Sequence, residues 1–408
     1  MRPRNVRRPA YADRSGQRRH RPDYSLVLLP TILLVIGLIV VYAISPGLAA
    51  QKHVSDNYYV TKQIFTVLLG AASFGVVAQV PLSAWKRLRV PLIVLAGVAT
   101  LIALALPVSA EYPAHRWVRF GGQSLQSVEL IKFAIVICLA AFLADKIKQG
   151  VMSNTKKTLQ PLMVILGVIG IVVAIAQRDL GSTGVLVVMM AAMAYIAGLP
   201  MKRVLQISAI IAIGTILAIA SIGYRRDRVL TFLHPEQDCQ DAGYQACQAL
   251  IAVGSGGLVG KGLSHGAQAY GYLPEASNDS IFAIMAEKFG FVGVTVLIAL
   301  FMALFGRIKN VLERAPDDFS RVMVAGILAW LSTQTLINIG AMIGLLPLKG
   351  ITLPFISAGG TSVIFVTAAL GLVFQVSHYT TFGVSDDYTA QPKSERRAIN
   401  YGYANRRP

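Results

Sequence analysis

The chain has 408 residues, of which 54% are hydrophobic and only 14% are charged. Soluble domains carry about 25% charged residues, so this composition excludes a single water-soluble core. The net charge of +18 would indicate nucleic-acid binding only if one polar domain carried it. The basic residues lie instead at the two ends and in short connections between apolar blocks, so no nucleic-acid partner is predicted.

The apolar residues form blocks of about twenty, the length at which a helix crosses a bilayer. A cleaved signal peptide would give one short block near the start, whereas these blocks continue to about residue 378. In chain order the predicted spans are 25–45, 60–80, 89–107, 127–145, 159–177, 180–198, 203–222, 280–305, 321–344 and 358–378.

Lys and Arg are concentrated in every second connection and at both ends, as in the cytoplasmic loops of membrane proteins. Both termini are therefore predicted to lie in the cytoplasm, which requires an even number of spans. The sequence predicts an all-α polytopic membrane protein with about ten transmembrane helices in residues 25–380. Residues 1–24 are predicted to be a disordered basic tail near anionic lipid, and residues 381–408 a cytoplasmic C-terminal tail.

The predicted outside loop 223–279 is far longer than a helix connection needs, and such loops often carry function. Arg225 and Arg226 begin it, against the positive-inside bias, which indicates binding to an anionic ligand such as a diphosphate or to lipid head groups. Cys239 and Cys247 lie eight positions apart in this loop. An oxidising exterior permits a disulfide there, but two free thiols remain equally open because spacing does not fix geometry.

The same loop contains the glycine-rich run 254–262, which includes Lys261. A nucleotide-binding P-loop requires Ser or Thr directly after the lysine, and Gly262 stands there instead. We therefore reject a nucleotide site and predict that the glycines allow this backbone to lie close to the helices.

Charged residues within apolar spans are costly and are functional candidates. Glu129 and Lys132 are three positions apart, so they share a helix face and can pair; a functional role and a structural ion pair both remain open. Arg178 and Asp179 lie between two spans and are predicted to pair locally.

Asp279 closes the large loop where the next span begins, four residues after Glu275. Residue chemistry alone favours a helix cap for such a carboxylate, with a general base in an outward-facing cavity as the alternative. Farther along, Pro354 and the pair Gly359-Gly360 predict irregular backbone at the edge of the last span. Such backbone is tolerated at membrane depth only when it is buried in protein or lines a cavity.

Taken together, these segments resemble the SEDS family (shape, elongation, division and sporulation) of polytopic peptidoglycan glycosyltransferases. The resemblance covers about residues 25–380, and its strength lies in the order and spacing of the motifs. These are Arg116-Trp117-Val118, Gln126 with Glu129 and Lys132, Gln177 with Asp179-Leu180-Gly181, Gly254-Ser255-Gly256-Gly257-Leu258, Leu273-Pro274-Glu275, Asp279 with Ile281-Phe282-Ala283, Asn338-Ile339-Gly340, and Leu353-Pro354-Phe355-Ile356-Ser357 with Gly359-Gly360.

The chain departs from the family pattern without losing its charged positions. Ser127-Val128 stands where the family usually has Pro-Ser, Arg178 where it usually has Pro, and Ala358 where Tyr is usual. These departures put local packing in doubt more than activity. The cysteine pair is not a feature of the family pattern.

The resemblance implies that lipid II is polymerised on the outer face of the cytoplasmic membrane, with undecaprenyl diphosphate leaving. It implies Asp279 as the catalytic general base, and cations near the leaving diphosphate, with a divalent Mg²⁺ or Mn²⁺ left open. The implied substrate-binding residues are Arg116, Trp117, Gln126, Glu129, Lys132, Arg225, Arg226, Glu275, Ser357, Gly359 and Gly360.

The resemblance also implies partners: a class B penicillin-binding protein that crosslinks the strands, and other membrane proteins of the division machinery. Pro347-Leu348-Lys349-Gly350 favours the division branch, acting at the septum of a bacterial cytoplasmic membrane, over the elongation branch. Two other functions remain open, a lipid II flippase and a non-enzymatic division scaffold. A flippase would often contain internal repeats, and none is evident in this sequence.

Overall fold

The computed structural model of the protein describes residues 21–107, 114–120, 123–220, 232, 239–241, 243–263 and 265–379. Most of the predicted N-terminal tail, the predicted C-terminal tail, and Arg225 and Arg226 lie outside these residues.

The described part of the chain is almost entirely helical, with one small antiparallel hairpin. The helices are α1 Ser25–Lys52, α2 Tyr58–Gln79, α3 Leu82–Ala105, α4 Ser127–Lys148, α5 Gln160–Gly170, α6 Leu180–Ile196, α7 Met201–Ala220, α8 Tyr244–Ser255, α9 Ile281–Glu313, α10 Asp318–Met342 and α11 Thr361–Ser377. The two strands are β1 Trp117–Phe120 and β2 Gln123–Gln126, and π-helical turns at Thr155–Leu159 and Ile171–Ala176 flank α5.

Each of the ten predicted spans overlaps one of the helices α1–α7 and α9–α11. Seven helical segments in the described residues are long and apolar enough to cross a membrane by length and composition, and α6 and α11 are shorter apolar helices. The protein is therefore an integral membrane protein with a helical fold, while the count of ten spans stays a prediction.

Helix α4 lies at the centre of the bundle, because it packs against α3, α6, α10 and α11. Nearly all its residues from Ser127 to Ala144 are buried. Helices α1, α2 and α3 instead expose large apolar side chains such as Leu28, Leu68 and Leu101. Continuous apolar surface on a helical bundle is expected where the solvent is lipid.

The described residues are mostly helical as predicted, and the one departure is the unpredicted β1–β2 hairpin between α3 and α4. Trp117 pairs with Gln126 and Val118 with Leu125 in an antiparallel register. Two strands joined by a Gly-Gly dipeptide are a known hairpin signal, and the sequence reads Gly121-Gly122 at this point. This signal covers only ten residues and lies between two long apolar blocks, so the hairpin was not predicted.

Helix α9 is broken at Gly290, where φ is 63° and ψ is −165°. The glycine-rich run lies against this break: Phe291 N donates to Gly257 O at 2.9 Å and Val292 N to Leu258 O at 3.0 Å. A Cβ atom on Gly256 or Gly260 would overlap the backbone of α9. The prediction that these glycines allow close approach is confirmed.

The predicted large loop is therefore partly ordered by helix α8 and by its contacts with α9. The part of α9 that follows the break, from Phe291 to Glu313, is roughly 34 Å long at the helical rise per residue. That length is sufficient to cross the hydrocarbon core by itself.

The segment between α10 and α11 is irregular, as predicted for the Pro354 and Gly359-Gly360 region, and its residues 353–357 are buried. Phe355 has a positive φ of 65°, and its side chain is fully buried. Ser357 Oγ accepts a hydrogen bond from Leu353 N at 2.8 Å and donates one to Asn278 O at 2.6 Å. Ser357 thereby joins this segment to the residues just before α9.

Candidate active site: a cavity around Asp279

A cavity of about 1540 Å³ opens at one end of the bundle. Its walls come from the α1–α2 connection and α2, the hairpin, the start of α8, residues 275–279, and the segment from the end of α10 to the start of α11. Pockets for small ligands are typically about 300–1,000 Å³. This cavity is larger, so it suits a substrate bigger than an ordinary metabolite.

Asp279 lies in the wall of this cavity and is held there by its backbone. Asn338 Nδ2, from α10, donates to Asp279 O and to Ile351 O, both at 2.7 Å. This amide therefore joins the residues before α9 to the segment before α11. The side chain is left to face the cavity.

The helix-cap interpretation of Asp279 is wrong. Ser280 is the N-cap of α9, and no side-chain capping hydrogen bond is formed there. Within the described part of the chain, Asp279 Oδ1 is buried and has no hydrogen-bond partner. A buried carboxyl oxygen without a partner is costly, and such oxygens call for an explanation in terms of a ligand or a reaction.

The pKa of Asp279 is raised to about 7, mainly by burial and also by the neighbouring carboxylate of Glu275. The Gln245 side chain and the backbone amides of Asp279 and Ser280 act in the opposite direction, because they stabilise the charged form. A carboxylate with a pKa near neutrality is well matched to accepting a proton at physiological pH. Strong perturbation of this kind in a cleft is typical of functional residues.

Among the described residues, four cationic side chains line the same cavity: Arg116, Lys52, Lys62 and Lys349. Only Arg116 was predicted as a binding residue. Lys62 was detectable from the sequence because it is a charged residue inside an apolar span. Lys52 is the last residue of α1 and Lys349 lies in the connection before α11, so their convergence depends on the fold.

Arg116 forms an ion pair with Asp179, from Nη1 to Oδ2 at 3.5 Å. Asp179 also caps α6 by accepting from Ser182 N at 2.9 Å. The predicted local pair between Arg178 and Asp179 is therefore wrong. The local sequence could not reveal that a residue more than sixty positions away supplies the cation.

The predicted pair of Glu129 and Lys132 is confirmed, with Nζ to Oε1 at 2.7 Å and both residues almost fully buried. Neither residue lines the cavity. Lys132 Nζ also donates to Gln334 Oε1 at 2.9 Å, and Gln334 Nε2 donates to Thr352 O at 3.0 Å. Because Thr352 does line the cavity, the pair supports the wall from behind.

The structure brings most of the predicted site residues together at the cavity. Those that line it are Arg116, Trp117, Gln126, Glu275, Asp279, Gly359 and Gly360. Glu129, Lys132 and Ser357 lie behind the wall, and Arg225 and Arg226 fall outside the described residues. Gln245 was not predicted, because helix α8 was not predicted; its amide donates to Ser280 Oγ, next to Asp279 in the chain, at 3.1 Å.

One side of the cavity is apolar and continues to the outside of the bundle. It is formed by Phe65 and Leu69 of α2 and by Ile364 and Phe365 of α11. Phe65 and Leu69 are also among the exposed large apolar residues of α2. The cavity therefore extends from a buried carboxylate and several cations to a surface that faces lipid.

The sequence left a disulfide and two free thiols open for the cysteine pair, and the structure contains the disulfide. Cys239 and Cys247 are bonded, with their Cα atoms 5.7 Å apart. Among the residues that the structure covers, no group of three or more His, Cys, Asp or Glu side chains is arranged to hold a metal ion.

Comparison with known proteins places this architecture in one family. A family model described as a cell cycle protein, covering FtsW, RodA and SpoVE, matches residues 24–382. A probable peptidoglycan glycosyltransferase FtsW of Geobacter sp. (strain M18) is 34% identical over 359 residues, covering 87% of this chain and 96% of the relative. Stage V sporulation protein E of Bacillus subtilis (strain 168) is 32% identical over 364 residues, covering 88% and 98%.

Solved structures show the same fold. A peptidoglycan synthase complex described as coordinating polymerization and crosslinking contains a chain that matches with a TM-score of 0.67 and 23% identity, covering 87% of this chain and 97% of that one. The rod shape determining protein RodA of Thermus thermophilus matches with a TM-score of 0.62 and 22% identity, covering 88% and 98%. The chain therefore belongs to the FtsW/RodA/SpoVE family of cell cycle proteins.

Proposed function

We propose that this protein is a peptidoglycan glycosyltransferase that polymerises lipid II into glycan strands, with Asp279 as the general base. The observation that carries the proposal is a buried carboxylate with its pKa raised to about 7, in a large cavity that is cationic on one side and apolar on the other. An undecaprenyl-diphosphate-linked sugar has matching parts: a lipid chain, a diphosphate and a glycan. The names of the relatives support the same activity.

In the proposed reaction, Asp279 accepts the proton of the acceptor sugar hydroxyl. The hydroxyl oxygen bonds to the anomeric carbon of the donor while the bond from that carbon to the diphosphate oxygen breaks. Undecaprenyl diphosphate leaves with the electron pair, and the proton passes from Asp279 to solvent. General-base catalysis of this type contributes about 10²–10⁴-fold to a rate.

The charge that develops on the leaving diphosphate requires cations placed in advance. Lys62, Lys349 and Arg116 line the cavity with Asp279 and are the proposed partners of the diphosphate. Arg225 and Arg226 remain proposed contributors from the large loop. The proposed role of Glu129 and Lys132 is indirect, through Gln334 and Thr352.

A divalent cation would find two carboxylates in the cavity, Asp279 and Glu275. Mg²⁺ commonly binds through one or two carboxylates and takes its other ligands from substrate phosphates and water, so these residues fit Mg²⁺ or Mn²⁺. A bound cation would supply additional charge stabilisation for the diphosphate.

The proposed topology has ten spans, both termini in the cytoplasm and the cavity on the outer face. Two ion pairs support it by joining connections predicted to be inside: Lys86 with Asp317 at 3.4 Å and Arg89 with Asp145 at 3.2 Å. Residues 1–24 and 381–408 are the proposed cytoplasmic tails of a membrane domain formed by residues 25–380.

We assign the protein to septal synthesis during division, working with a class B penicillin-binding protein and other membrane proteins of the division machinery. Several relatives named FtsW support this role. The solved complex that coordinates polymerization and crosslinking supports a transpeptidase partner.

The test is polymerisation of lipid II by purified protein in liposomes with its class B partner. Asp279→Asn should lower the rate by at least about 100-fold, whereas Asp145→Asn, at an exposed ion pair far from the cavity, should not. Full activity of Asp279→Asn would refute the general base. Lipid II scrambling without polymer would instead identify a flippase.

A further inference from the structure

The first half of helix α2 presents polar side chains to the cavity. Tyr59, Gln63 and Thr66 are spaced by four and three positions, so they lie on one face of the helix, and all three line the cavity. Lys62 lines it as well, one position before Gln63. Polar residues within a span are costly in lipid, so this face indicates a role inside the protein.

Gln63 is a member of this face whose hydrogen bonding is incomplete. The residue is 1% exposed, and its Nε2 atom is buried without a hydrogen-bond partner among the residues that the structure describes. Thr66, by contrast, donates its hydroxyl to Lys62 O at 2.9 Å. A buried donor without an acceptor is costly and calls for an explanation such as a bound group. The last torsion of a glutamine side chain is broad, so this amide can turn towards an acceptor in the cavity.

Lys62 supplies a cation beside this amide. Its Nζ atom lies 6.0 Å from the centre of the Tyr58 ring, and no carboxylate in the described part of the chain pairs with it. Consecutive residues of a helix point about 100° apart, so a ligand between the two side chains can contact both. A cation with a neutral N–H donor suits a phosphate group, whose oxygens accept several hydrogen bonds.

The apolar part of the cavity continues along the same helix. Phe65 and Leu69 line the cavity and are also exposed at the outside of the bundle. Just beyond them α2 contacts α11 directly, because Ser73 Oγ donates to Ile364 O at 3.1 Å and lies 3.2 Å from Thr367 Oγ1. A chain attached to a head group at the polar face is therefore directed sideways, over Phe65 and Leu69, into the surrounding lipid.

We propose that Lys62 and Gln63 form the subsite for the diphosphate of a polyprenyl-linked substrate, with a phosphate oxygen as the acceptor that Gln63 Nε2 lacks. The prenyl chain leaves this subsite over Phe65 and Leu69. This inference rests on the proposed function and deepens it, because it gives the diphosphate a place on α2. Gln63 is then a substrate-binding residue that its type and position in an apolar span did not reveal.

The first measurement separates a binding amide from a structural one. Gln63→Leu removes a buried donor that lacks a partner in the ligand-free protein, so this variant should unfold at a higher temperature than the wild type. The matched control is Gln79→Leu, at an exposed position near the end of α2 that does not line the cavity, and it should unfold at the wild-type temperature. A lower unfolding temperature for Gln63→Leu would mean that the amide holds the bundle together and would overturn the inference.

The second measurement is binding of farnesyl diphosphate, a short prenyl diphosphate, to the purified protein in detergent. Loss of a hydrogen bond to a charged group should weaken its binding to Gln63→Leu by about tenfold or more, and Lys62→Met should also weaken it. Farnesol, which lacks the diphosphate, should bind all variants equally. If Gln63→Leu does not fold, Gln63→Met keeps the length of the side chain, removes both N–H donors and replaces it in each assay.

Three outcomes of the binding measurement would overturn the subsite. The first is equal affinity of Gln63→Leu and the wild type for farnesyl diphosphate. The second is an equal loss for farnesol, which would place the effect on the prenyl chain. The third is displacement of farnesyl diphosphate by an equal concentration of phosphatidylglycerol, which would indicate a general site for lipid phosphates.

The third measurement is lipid II polymerisation, which distinguishes the two lipid-linked substrates. Shorter glycan strands from Gln63→Leu would place the diphosphate of the growing strand at the subsite, whereas a raised KM with unchanged strand length would place incoming lipid II there. Weakened farnesyl diphosphate binding in a protein that makes no polymer in any form would support the subsite and remove the proposed function. Unchanged binding by Gln63→Leu, in a wild-type protein that does polymerise, would remove the subsite and leave the proposed function.

Discussion

Replacing Lys132 with methionine should destabilise the bundle strongly, because the ammonium is buried in a network that depends on it. The side chain is 1% exposed and pairs with Glu129, which is 3% exposed. Its Nζ atom also donates to Gln334 and lies 5.0 Å from the centre of the Trp330 ring. Lys132→Met leaves the Glu129 carboxylate buried without its cation.

The magnitude follows from the cost of an unpaired buried charge. Removing one partner of a buried pair typically costs about 3–5 kcal/mol, and Glu129 Oε2 already lacks a hydrogen-bond partner among the residues that the structure describes. Replacing both charges, as in Glu129→Gln/Lys132→Met, is often close to neutral. We therefore expect Lys132→Met to lower the free energy of unfolding by about 3–5 kcal/mol, and the double variant to recover most of that loss.

The assay is reversible unfolding in mixed micelles for the two single variants and the double variant, with polymerisation measured in parallel. Lys148→Met is the matched control, since Lys148 lies on the same helix but is exposed. A double variant as stable as the wild type but inactive would refute this reasoning, because Lys132 would then act in the chemistry itself. Additive single effects would also refute it, since they would mean that the pair does not interact.

Three further outcomes follow from the site. Wild-type polymerisation should fall as the pH drops below about 7, because the raised pKa of Asp279 leaves the base protonated there. Glu275→Gln removes a like charge and should move this acidic fall in activity to lower pH. In thermal unfolding in detergent, Gly256→Ala should destabilise the protein, because its Cβ atom would overlap α9. The control Gly254→Ala has open space around its Cβ atom and should stabilise α8 by up to about 1 kcal/mol. Asn338→Ala should lower polymerisation and stability together, because it leaves the Asp279 and Ile351 carbonyls without their shared donor; unchanged values in both assays would contradict that role.

Most helices of the bundle could be predicted, because polar side chains are costly in lipid and the sequence of a membrane span must therefore be apolar. A span must be apolar over about twenty residues wherever it lies in the fold, so the ten blocks overlap observed helices. The close approach of the glycine-rich run was predictable for a similar local reason, since glycine lacks the Cβ atom that would prevent it. The hairpin was missed because its two strands are only four residues each.

The composition of the cavity was less predictable, because it depends on which elements meet. Lys349 lies almost three hundred positions after Lys52 and Lys62, and no local pattern connects it to them. The partner of Asp179 illustrates the same limit: Arg178 is adjacent in sequence, but Arg116 is adjacent in space. Sequence proximity favours Arg178 as the partner of Asp179, whereas the fold brings the side chain of Arg116 within reach of its carboxylate.

Asp279 shows most clearly how environment decides a role. Its sequence position, just ahead of a helix, is what a capping residue would have, and its residue type permits capping. The fold gives the cap position to Ser280, ties the Asp279 backbone to α10, and surrounds its side chain with the protein interior, Glu275 and Gln245. Each contact comes from a different segment, so the properties of this carboxyl belong to the assembled cavity. Changes at Glu275, Gln245 or Asn338 should therefore alter the behaviour of Asp279 in distinguishable directions, although none of them replaces the carboxyl itself.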